Sequence, residues 1–586
     1  MRAALLVLSF AAFGLLAFAE SPHAEQAGAR PAPEIATKAV EAKLVPASKA
    51  MIVAGHRDAA NAGLEMLDAG GNAMDAMVAV QLVLGLVEPQ SSGLGGGAFL
   101  LYHDAATGTL HSLDGRETAP KAADPRQFLD AQGKPRRFLD AAIGGRSVGA
   151  PGTVALLAAA HSRFGKLPWA RLFEPAIRLA ETGFAVSPRL NASIADSAEN
   201  LFRFTATRGY FLTEEAVPLP PGTLLRNADY AATLRLLAGD GPAAFYRGPI
   251  AEDIERTVRF APESPGALSV ADLARYEAKW RDPVCVDYRN WRVCGMGPPS
   301  SGMIAIGQAL GMLAPRDLAR GGSASADNWR LIGDATRLAF ADRNRYLADP
   351  DFTAIPAGLL DPAYLGERGR LLDGSRALEA GRVVAGEPPA RKTGRLGDDR
   401  SAEIPATSHF SIVDETGNVV SMTTSIENAF GSRLMVRGFL LNNQLTDFSF
   451  LPEENGLPVA NRLEGGKRPR SSMVPVIAYR DGRPALSLGA TGGSRIIPYV
   501  LQALIATIDW GMPPDKVMAM PHMANRGGTF EIEEAAGLET LSAELKALGY
   551  ETARLPMDSG MAVIAIGERG LAGAADPRRE GVAVGR

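Results

Sequence analysis

The sequence predicts an α+β protein in which sheets are covered by layers of helices. The region 153–280 shows long helical periodicity, whereas the region after Thr407 is rich in strands. Further helices are predicted near Ile497–Ile508 and Leu538–Leu548, so helices and strands alternate on both sides of Thr407. Because a sheet must bury its apolar face against another layer, this alternation is typical of stacked sheets with helices outside.

Size and charge exclude several classes of protein. The 586 residues are too many for one hydrophobic core, which indicates two closely merged layers or domains. A net charge of −4 argues against a nucleic-acid partner and gives no sign of an electrostatic membrane anchor. We find no His, Cys or carboxylate cluster with the spacing of metal ligands, and we expect no metal and no cofactor.

The N-terminus has the features of a secretory signal. A single positive charge is followed by a short apolar run that ends in Ala17-Phe18-Ala19, so residues 1–19 are predicted to be a cleaved signal peptide. An uncleaved membrane anchor is the alternative, but the small residues at the end of the run favour removal. Residues 20–48, rich in Ala, Pro and charge, are predicted to be a linker. We expect a periplasmic or secreted protein without a membrane anchor after signal removal.

Two helices and a glycine-rich loop follow. Arg57–Ala69 has helical spacing, and Asn72 can cap a second helix that is apolar nearly all round and is therefore expected to be buried. The loop Gly93-Leu94-Gly95-Gly96-Gly97-Ala98 formally matches a dinucleotide fingerprint, but a helix precedes it and a strand follows it, the wrong order for that site. We expect it to line a polar pocket. Arg116, beyond the next strand, is either a surface charge or an anion-binding group.

The middle of the chain is predicted to be scaffold. Residues from about 153 to 280 are predicted to form a helical lobe, in which we find no catalytic residues. After it, a turn at Arg289-Asn290 would pair Cys285 with Cys294 across a hairpin, in a position where the α-carbons are closest. An exported protein can keep this pair as a disulfide, and two free buried thiols are the alternative. Residues 374–406 show little periodicity and are predicted to be a mobile connector.

Thr407 opens a strand directly after this connector. If the bond between Ala406 and Thr407 is cut, Thr407 carries a free α-amine beside its hydroxyl, so that one residue holds both a nucleophile and its base. A hairpin that turns about Thr416, with Gly417 in the left-handed conformation, places Thr407 opposite Ser425. Ser425 can then bind and orient the Thr407 hydroxyl. Glu427, two residues later, falls on the same face of an extended chain.

Other polar clusters follow this hairpin later in the sequence. They include Gln444 and Asp447 at the end of an apolar strand, the adjacent hydroxyls of Ser471 and Ser472, and a glycine pair in a strand-to-helix turn. The amides of that pair, Gly492 and Gly493, can point at one oxygen and stabilise an oxyanion. Together with a strand-opening threonine, these clusters indicate an acyl-transfer site.

The chain resembles the γ-glutamyltransferases (γ-glutamyl transpeptidases), which are N-terminal nucleophile hydrolases. The resemblance covers nearly all of the mature chain and rests on these motifs: Gly63-Leu64 through Gly71-Asn72-Ala73-Met74-Asp75-Ala76, Glu88 through Gly97, Pro298-Pro299-Ser300-Ser301-Gly302, Leu441-Asn442-Asn443-Gln444, Asp447-Phe448-Ser449, Lys467-Arg468-Pro469, Ser471-Ser472-Met473, Gly492-Gly493-Ser494-Arg495 and Asp576-Pro577-Arg578.

The resemblance implies a four-layer αββα sandwich made as one precursor. Self-cleavage would give a large subunit, 49–406, and a small catalytic subunit, 407–586. The implied reaction transfers the γ-glutamyl group of glutathione or a related compound through Thr407 to water or to an amino acid or peptide. Implied site residues fall into three groups: Arg116, Ser471 and Ser472 for the substrate carboxylate; Glu427, Gln444 and Asp447 for its ammonium; and Gly492 and Gly493 for the oxyanion.

Some positions depart from the family pattern. Many relatives carry Thr at the position of Ser425 and Asn at that of Glu427, and the segment Ser449–Arg470 has no Tyr or Trp to form an aromatic lid. His409, on the strand that Thr407 opens, is expected to be a neighbour in the sheet and not a catalytic base. Two alternatives to the leading prediction are a cephalosporin (glutaryl) acylase-like amidase of the same fold and an inactive exported binding protein.

Overall fold

The structure, a computed structural model, describes residues 41–389, 394–401 and 406–586. The predicted signal peptide and most of the predicted linker lie outside these residues. The helices are α1 (Arg57–Asp68), α2 (Ala73–Val87), α3 (Phe138–Ala142), α4 (Thr153–Phe164), α5 (Glu174–Thr182), α6 (Pro188–Phe202), α7 (Thr205–Phe211), α8 (Ala228–Asp240), α9 (Ala243–Arg247), α10 (Pro249–Arg259), α11 (Val270–Ala274), α12 (Gly302–Leu313), α13 (Ala326–Tyr346), α14 (Pro362–Gly369), α15 (Ile496–Ile508), α16 (Pro514–Ala519) and α17 (Glu539–Leu548).

The strands within the same ranges are mostly antiparallel. They are β1 (Val45–Ala47), β2 (Met51–Ala54), β3 (Gly97–Asp104), β4 (Thr109–Gly115), β5 (Phe184–Ala185), β6 (Leu224–Leu225), β7 (Lys279–Arg281), β8 (Val284–Tyr288), β9 (Trp291–Gly295), β10 (Ser408–Val413), β11 (Val419–Ser425), β12 (Met435–Val436), β13 (Phe439–Leu440), β14 (Glu453–Glu454), β15 (Leu457–Pro458), β16 (Val476–Arg480), β17 (Arg483–Gly489), β18 (Met523–Ala524), β19 (Phe530–Glu533), β20 (Thr552–Leu555), β21 (Ala562–Gly567), β22 (Gly570–Ala575) and β23 (Val582–Gly585).

Two seven-stranded sheets form the centre of the molecule. One has the order β1-β22-β21-β17-β16-β9-β8, and the other has the order β23-β2-β10-β11-β3-β4-β7. A small apolar cluster that includes Val53, Leu101 and Ile564 lies between the sheets. The sheets are also joined by a hydrogen bond of 2.9 Å from the Ser487 hydroxyl to that of Ser411. The strands that carry the candidate site therefore lie at the centre of a sandwich.

Helices cover the outer face of each sheet. One large apolar cluster packs α1, α2, α4 and the helices of the 153–280 lobe against the sheet that contains β10. The other packs α12, α13 and α15 against the sheet that contains β17. The result is the four-layer αββα sandwich that the family resemblance implies. Within the described ranges, none of the helices is both long and apolar enough to cross a membrane.

The sequence explains where α2 begins and why it is buried. Asn72 caps α2 through its side-chain oxygen, which accepts from the amides of Met74 and Asp75, and Asp75 completes a capping box. All residues of α2 are buried, as its uniform apolarity predicts. The prediction of a linker up to residue 48 is wrong at its end, because Val45–Ala47 pairs with β22 as an edge strand.

The cysteine hairpin has the predicted register. Cys285 pairs with Cys294 and Tyr288 with Trp291, and the two cysteines are joined in a disulfide with their α-carbons 4.1 Å apart. The described parts of the predicted connector 374–406 make contacts with the rest of the protein. The Leu378 amide donates to Asp334, and buried Asp399 forms an ion pair of 3.0 Å with Arg470.

Candidate active site

Thr407 lies immediately before β10 and only 3% of its surface is exposed. Strands β10 and β11 pair in the register that aligns Ser408 with Thr424, so Thr407 falls opposite Ser425 one step beyond the ladder. Gly417, with φ of 88°, supplies the left-handed residue of the bend. The hairpin and its register are those predicted from the sequence.

Side chains bind the main-chain carbonyls on both sides of the Ala406–Thr407 bond. The Ser425 hydroxyl donates to the carbonyl of Ala406 at 2.7 Å, and Arg579 Nη1 donates to the carbonyl of Thr407 at 3.1 Å. We predicted that Ser425 binds the Thr407 hydroxyl. It stays a prediction, and in the intact chain the Ser425 hydroxyl also binds the preceding carbonyl. Ser425 therefore orients the bond that would be cut.

The residue after Thr407 anchors the strand to the helical layer. The Ser408 hydroxyl donates to Glu88 Oε2 at 2.8 Å, and Arg189 Nη1 binds the other carboxylate oxygen at 3.1 Å. Glu88 follows the last residue of α2, and Arg189 lies in the first turn of α6. Neighbouring side chains on a strand point to opposite faces, so this anchor leaves Thr407 directed to the other side.

His409 is a buried and neutral member of the sheet. Its Nδ1 lies 2.9 Å from the Thr423 hydroxyl and its Nε2 lies 3.3 Å from the Ser411 hydroxyl. Burial lowers the pKa of His409 to about 3. A β-carbon at Gly489 would lie 2.4 Å from the imidazole ring, so this glycine makes room for the histidine. These contacts agree with the prediction that His409 is not a catalytic base.

A buried cluster around Arg116 forms the second part of the site. Arg116 is fully buried, so the alternative of a surface charge is wrong. Its Nη2 donates to Asp447 Oδ2 and, at 3.0 Å, to the carbonyl of Arg470, while its Nε donates to the carbonyl of Pro469 at 3.2 Å. Gln444 also donates to Asp447 Oδ2, at 2.9 Å. The structure thus brings Arg116 together with Gln444 and Asp447, which the resemblance assigns to different ends of the substrate.

Glu427 extends this cluster toward the nucleophile. Its amide donates to the Ser425 hydroxyl at 2.8 Å, and its carboxylate accepts from the Asn443 side chain. The chain is not extended here as predicted, because φ of Glu427 is 79°, a left-handed conformation that is unusual for a non-glycine residue. Burial, and secondly the charge of Asp447, raise the pKa of Glu427 well above its usual value.

Several polar atoms of the Arg116 cluster are buried without a hydrogen bond. Within the described part of the chain, these atoms are Arg116 Nη1, Glu427 Oε1, Gln444 Oε1 and both carboxyl oxygens of Glu117. Arg116 Nη1 lies 3.5 Å from Glu117 Oε2. Burial raises the pKa of Glu117 to about 8. Buried polar groups in folded proteins are nearly always paired, so an incomplete set of donors and acceptors indicates a place for a polar ligand.

The serine pair follows a residue that contacts Arg116. Ser471 and Ser472 directly follow Arg470, whose carbonyl binds Arg116. The Ser472 hydroxyl accepts from Arg343 Nη2 at 2.7 Å, and the Ser471 hydroxyl accepts from the amide of Met473 at 3.1 Å. A hydroxyl that accepts one hydrogen bond can also donate its own proton, so the Ser471 hydroxyl can bind an anion.

The glycine pair lies at the predicted strand-to-helix turn. Gly492 and Gly493 have φ of 127° and 57°. Gly492 precedes a short 3₁₀ turn, Gly493–Arg495, which leads from β17 into α15. Thr491, the residue before them, lines a small cavity together with Ser408 and Arg579, so this turn reaches the start of β10. The φ of Gly492 is one that residues with side chains rarely adopt, and the left-handed φ of Gly493 favours glycine.

Sequence reasoning missed three buried charged residues near the start of β10, two of which contact it directly. Arg579 and its partner Asp558 lie behind the Thr407 carbonyl, and Glu88 binds Ser408. Glu88 and the Asp576-Pro577-Arg578 motif were both part of the resemblance, and Arg579 follows the motif directly. The proximity of these residues to Thr407 depends on long-range folding, which no local pattern reveals. Among the residues described, no group of three or more potential ligands is arranged to hold a metal ion.

Comparisons with known proteins agree with this geometry. The model of the Gamma-glutamyltranspeptidase family matches residues 59–586. The "Glutathione hydrolase proenzyme" of Bacillus subtilis (strain 168) is 35% identical over 548 residues, which cover 91% of each chain. The "Acylase ACY 1 proenzyme" of Pseudomonas sp. (strain V22) is 36% identical over 564 residues, which cover 94% of this chain and 96% of the acylase.

A solved structure shares the architecture. The cephalosporin acylase from Bacillus halodurans aligns with a TM-score of 0.80 at 26% identity, over 93% of this chain and 97% of the acylase. The fold is therefore that of the N-terminal nucleophile hydrolases, and the family match extends over most of the chain. On this combined basis the protein is an enzyme that belongs to the γ-glutamyltranspeptidase (glutathione hydrolase) family.

Proposed function

We propose that the chain is an exported γ-glutamyltransferase and hydrolase that cleaves itself between Ala406 and Thr407. The observation that carries this proposal is the arrangement at that bond. Thr407 is a buried threonine at the start of a central strand, and Ser425 donates to the carbonyl that its hydroxyl would attack. A donor at this oxygen stabilises the negative charge that develops on it during attack.

Cleavage would proceed in two steps. Thr407 Oγ1 attacks the carbonyl carbon of Ala406, the C–N bond breaks, and the acyl group of Ala406 moves to the threonine oxygen as an ester. Water then hydrolyses this ester, which leaves a carboxylate on Ala406 and a free α-amine on Thr407. The large subunit would end at Ala406, and the small subunit would begin with Thr407.

Turnover would use the same oxygen. The α-amine of Thr407 takes the hydroxyl proton while Oγ1 attacks the γ-carbonyl carbon of a γ-glutamyl compound such as glutathione, and the proton passes to the departing amine. An α-amine with an ordinary pKa of about 7.7–8.0 suits this exchange near neutral pH. Water, or the amine of an amino acid or peptide, then releases the γ-glutamyl group. The amides of Gly492 and Gly493 would stabilise the oxyanion.

The buried cluster around Arg116 supports an acyl donor that carries both charges of an amino acid. A substrate carboxylate would take Arg116 Nη1 and the hydroxyls of Ser471 and Ser472. A substrate ammonium would take the acceptor atoms of Glu427, Gln444 and Asp447. Such a ligand supplies the hydrogen bonds that the buried atoms of Arg116, Glu427 and Gln444 lack in the described structure.

The first experiment is to purify the protein and identify its chains. We expect two bands on a denaturing gel and an N-terminal sequence that begins Thr407-Ser408-His409, whereas Thr407→Ala stays uncleaved and inactive. A wild-type protein that remains one chain and is active would refute the proposal. Fractionation of the producing cells would test export, which the N-terminal apolar run and the Cys285–Cys294 disulfide both support.

A glutaryl amidase is the second candidate, because an acylase proenzyme and a cephalosporin acylase are among the similar proteins. A glutaryl group has no ammonium, so it would leave the carboxylates of Glu427 and Asp447 without a cation. Initial rates on γ-glutamyl and glutaryl p-nitroanilides distinguish the two candidates. A clear preference for the glutaryl compound would favour the second.

A further inference from the structure

The ion pair of Arg579 and Asp558 contacts the main chain of the proposed nucleophile, Thr407. Arg579 Nη1 donates to the carbonyl of Thr407 at 3.1 Å, its Nε donates to Asp558 Oδ1 at 2.9 Å, and its Nη2 lies 2.8 Å from the same oxygen. The two side chains are 3% and 1% exposed. We propose that Arg579, held in place by Asp558, is a positioning residue that fixes the main chain of Thr407 for self-cleavage and for turnover.

The position of Thr407 in the sheet explains why such a residue is needed. Pairing between β10 and β11 is regular from Ser408 and Thr424 onward, so Thr407 lies one residue outside the ladder. After cleavage it would be attached to the protein on one side only. Rotation about its bond to the carbonyl carbon would then swing the α-amine and the hydroxyl together. A donor fixed on the Thr407 carbonyl restrains this rotation.

Packing around Arg579 indicates that this position is built for a long cationic side chain. A β-carbon on Gly560 would lie 2.8 Å from the Cδ, Nε and Cζ atoms of Arg579, so a glycine is needed beside it. The next residue, Glu580, accepts from the amide of Arg189, the residue that binds Glu88. The same short segment therefore reaches the Thr407 carbonyl and the anchor of Ser408.

Stability alone does not account for this pair. Burial of an ion pair removes two charges from water, and the attraction between them often does no more than offset that cost. A carbonyl oxygen could be satisfied by a neutral donor. An arginine adds a planar group whose separate N–H donors bind the carboxylate and the carbonyl at once, which fixes direction as well as distance.

This inference rests on the proposed role of Thr407, and the experiment separates the two. The wild-type protein and Thr407→Ala are tested first for cleavage and for hydrolysis of γ-glutamyl p-nitroanilide. If the wild type is neither cleaved nor active, the proposed function fails. If it is cleaved and active, the variants of Arg579 test only the positioning role.

A matched control is available in Arg337. Its Nη1 donates to Asp334 at 2.9 Å and to the carbonyl of Leu378 at 2.9 Å, so it is also a buried arginine that binds one aspartate and one carbonyl. It belongs to α13, and its partners are outside the candidate site. Arg337→Met reports the effect of losing such a pair on folding alone.

We expect Arg579→Met to slow self-cleavage at least 10-fold and to lower kcat of the cleaved protein 10- to 100-fold, with KM changed less than 3-fold. Arg579→Lys should recover part of both losses, because it keeps a donor for the carbonyl. The two methionine variants should lower the melting temperature by similar amounts. Arg337→Met should nevertheless keep cleavage and kcat within 3-fold of the wild type.

Two results would overturn the positioning role. One is an Arg579→Met protein that cleaves and turns over within 2-fold of the wild type. The other is an equal loss of kcat in Arg337→Met. If Arg579→Met does not fold, Asp558→Asn replaces it, since this change keeps the shape of the partner and removes the charge that holds Arg579. A cleavage rate and kcat within 2-fold of the wild type in a folded Asp558→Asn protein would then contradict the proposal.

Discussion

The two halves of the candidate site differ in how complete they are. Around Thr407, the Ser425 hydroxyl and Arg579 bind main-chain carbonyls that are part of the protein itself. Around Arg116, charged and polar side chains bind one another, and some of their atoms have no hydrogen bond within the described structure. The first half is arranged to hold the chain in place, and the second half is arranged to receive a ligand.

The comparison indicates how the fold separates two tasks. Self-cleavage needs only groups that the precursor already contains, so its contacts can be complete before any substrate arrives. Recognition of a donor needs buried groups that are complete only with the substrate, and their burial makes the missing partners costly. Glu427 connects the halves, because its amide binds Ser425 while its carboxylate faces the charges of Asp447 and Arg116.

The largest separation of the two tasks is expected at Arg116. Arg116→Lys keeps a charge but loses the planar group that binds Asp447 and the carbonyls of Pro469 and Arg470 at once. Hydrogen bonds to a charged group contribute about 1.5–3 kcal/mol each and lysine cannot make all of them, so kcat/KM for a γ-glutamyl donor should fall about 10²-fold or more. Self-cleavage, followed on a denaturing gel, should stay within 3-fold of the wild type. Equal losses of cleavage and turnover would contradict the separation.

At Ser425 the main loss is expected in self-cleavage. In Ser425→Ala the carbonyl of Ala406 loses its donor, so self-cleavage should slow about 10²-fold, the effect of removing one oxyanion donor. Ser425→Thr keeps a hydroxyl and should cleave within about 3-fold of the wild type. The measurement is the appearance of the fragment that begins at Thr407 during incubation of freshly purified precursor. Cleavage of the alanine variant at the wild-type rate would show that the contact is incidental.

The sequence predicted the strands that carry the site better than the contacts within the site. The alternation of Ser408–Val413 and Val419–Ser425 about Gly417 determined a register, because a shift by one residue would move every side chain to the other sheet face. The interior depended on other causes. The left-handed conformation of Glu427 and the approach of Arg579 to Thr407 arise from contacts between residues far apart in sequence, and no local periodicity encodes them. The edge strand at Val45–Ala47 was hidden in a composition typical of linkers.

Glu427 tests whether the second half of the site selects a cation. In Glu427→Gln the shape is kept and the carboxylate is lost, so the ratio of initial rates on γ-glutamyl and glutaryl p-nitroanilides should fall about 10-fold, equivalent to about 1.4 kcal/mol. Self-cleavage should change less than 3-fold, since the Glu427 amide keeps its bond to Ser425. An unchanged ratio would mean that Glu427 does not contact the substrate ammonium.

His409 should give the smallest effect on activity, although it lies only two residues from Thr407. In His409→Gln, kcat and its pH profile between pH 6 and 9 should stay within about 3-fold of the wild type, because the imidazole is buried and neutral at these pH values. A shift of the acid limb of that profile would restore His409 as a candidate base. The change should appear in stability instead. Burial lowers the pKa of His409 from its ordinary value of about 6.5 to about 3 in the folded protein, so the unfolded chain binds more protons between these values.

Protonation of His409 in the unfolded chain therefore makes the wild type less stable as the pH falls from 6.5 toward 3, with a slope of up to about 1.4 kcal/mol per pH unit. The glutamine variant, which cannot take up this proton, should lose stability less steeply over the same interval. Denaturant unfolding of both proteins at pH 6.5, 5.5 and 4.5 measures the two slopes. Parallel slopes would mean that His409 is solvated and able to ionise in the folded protein, and the Thr407 side of the site would then contain a titrating group next to the nucleophile.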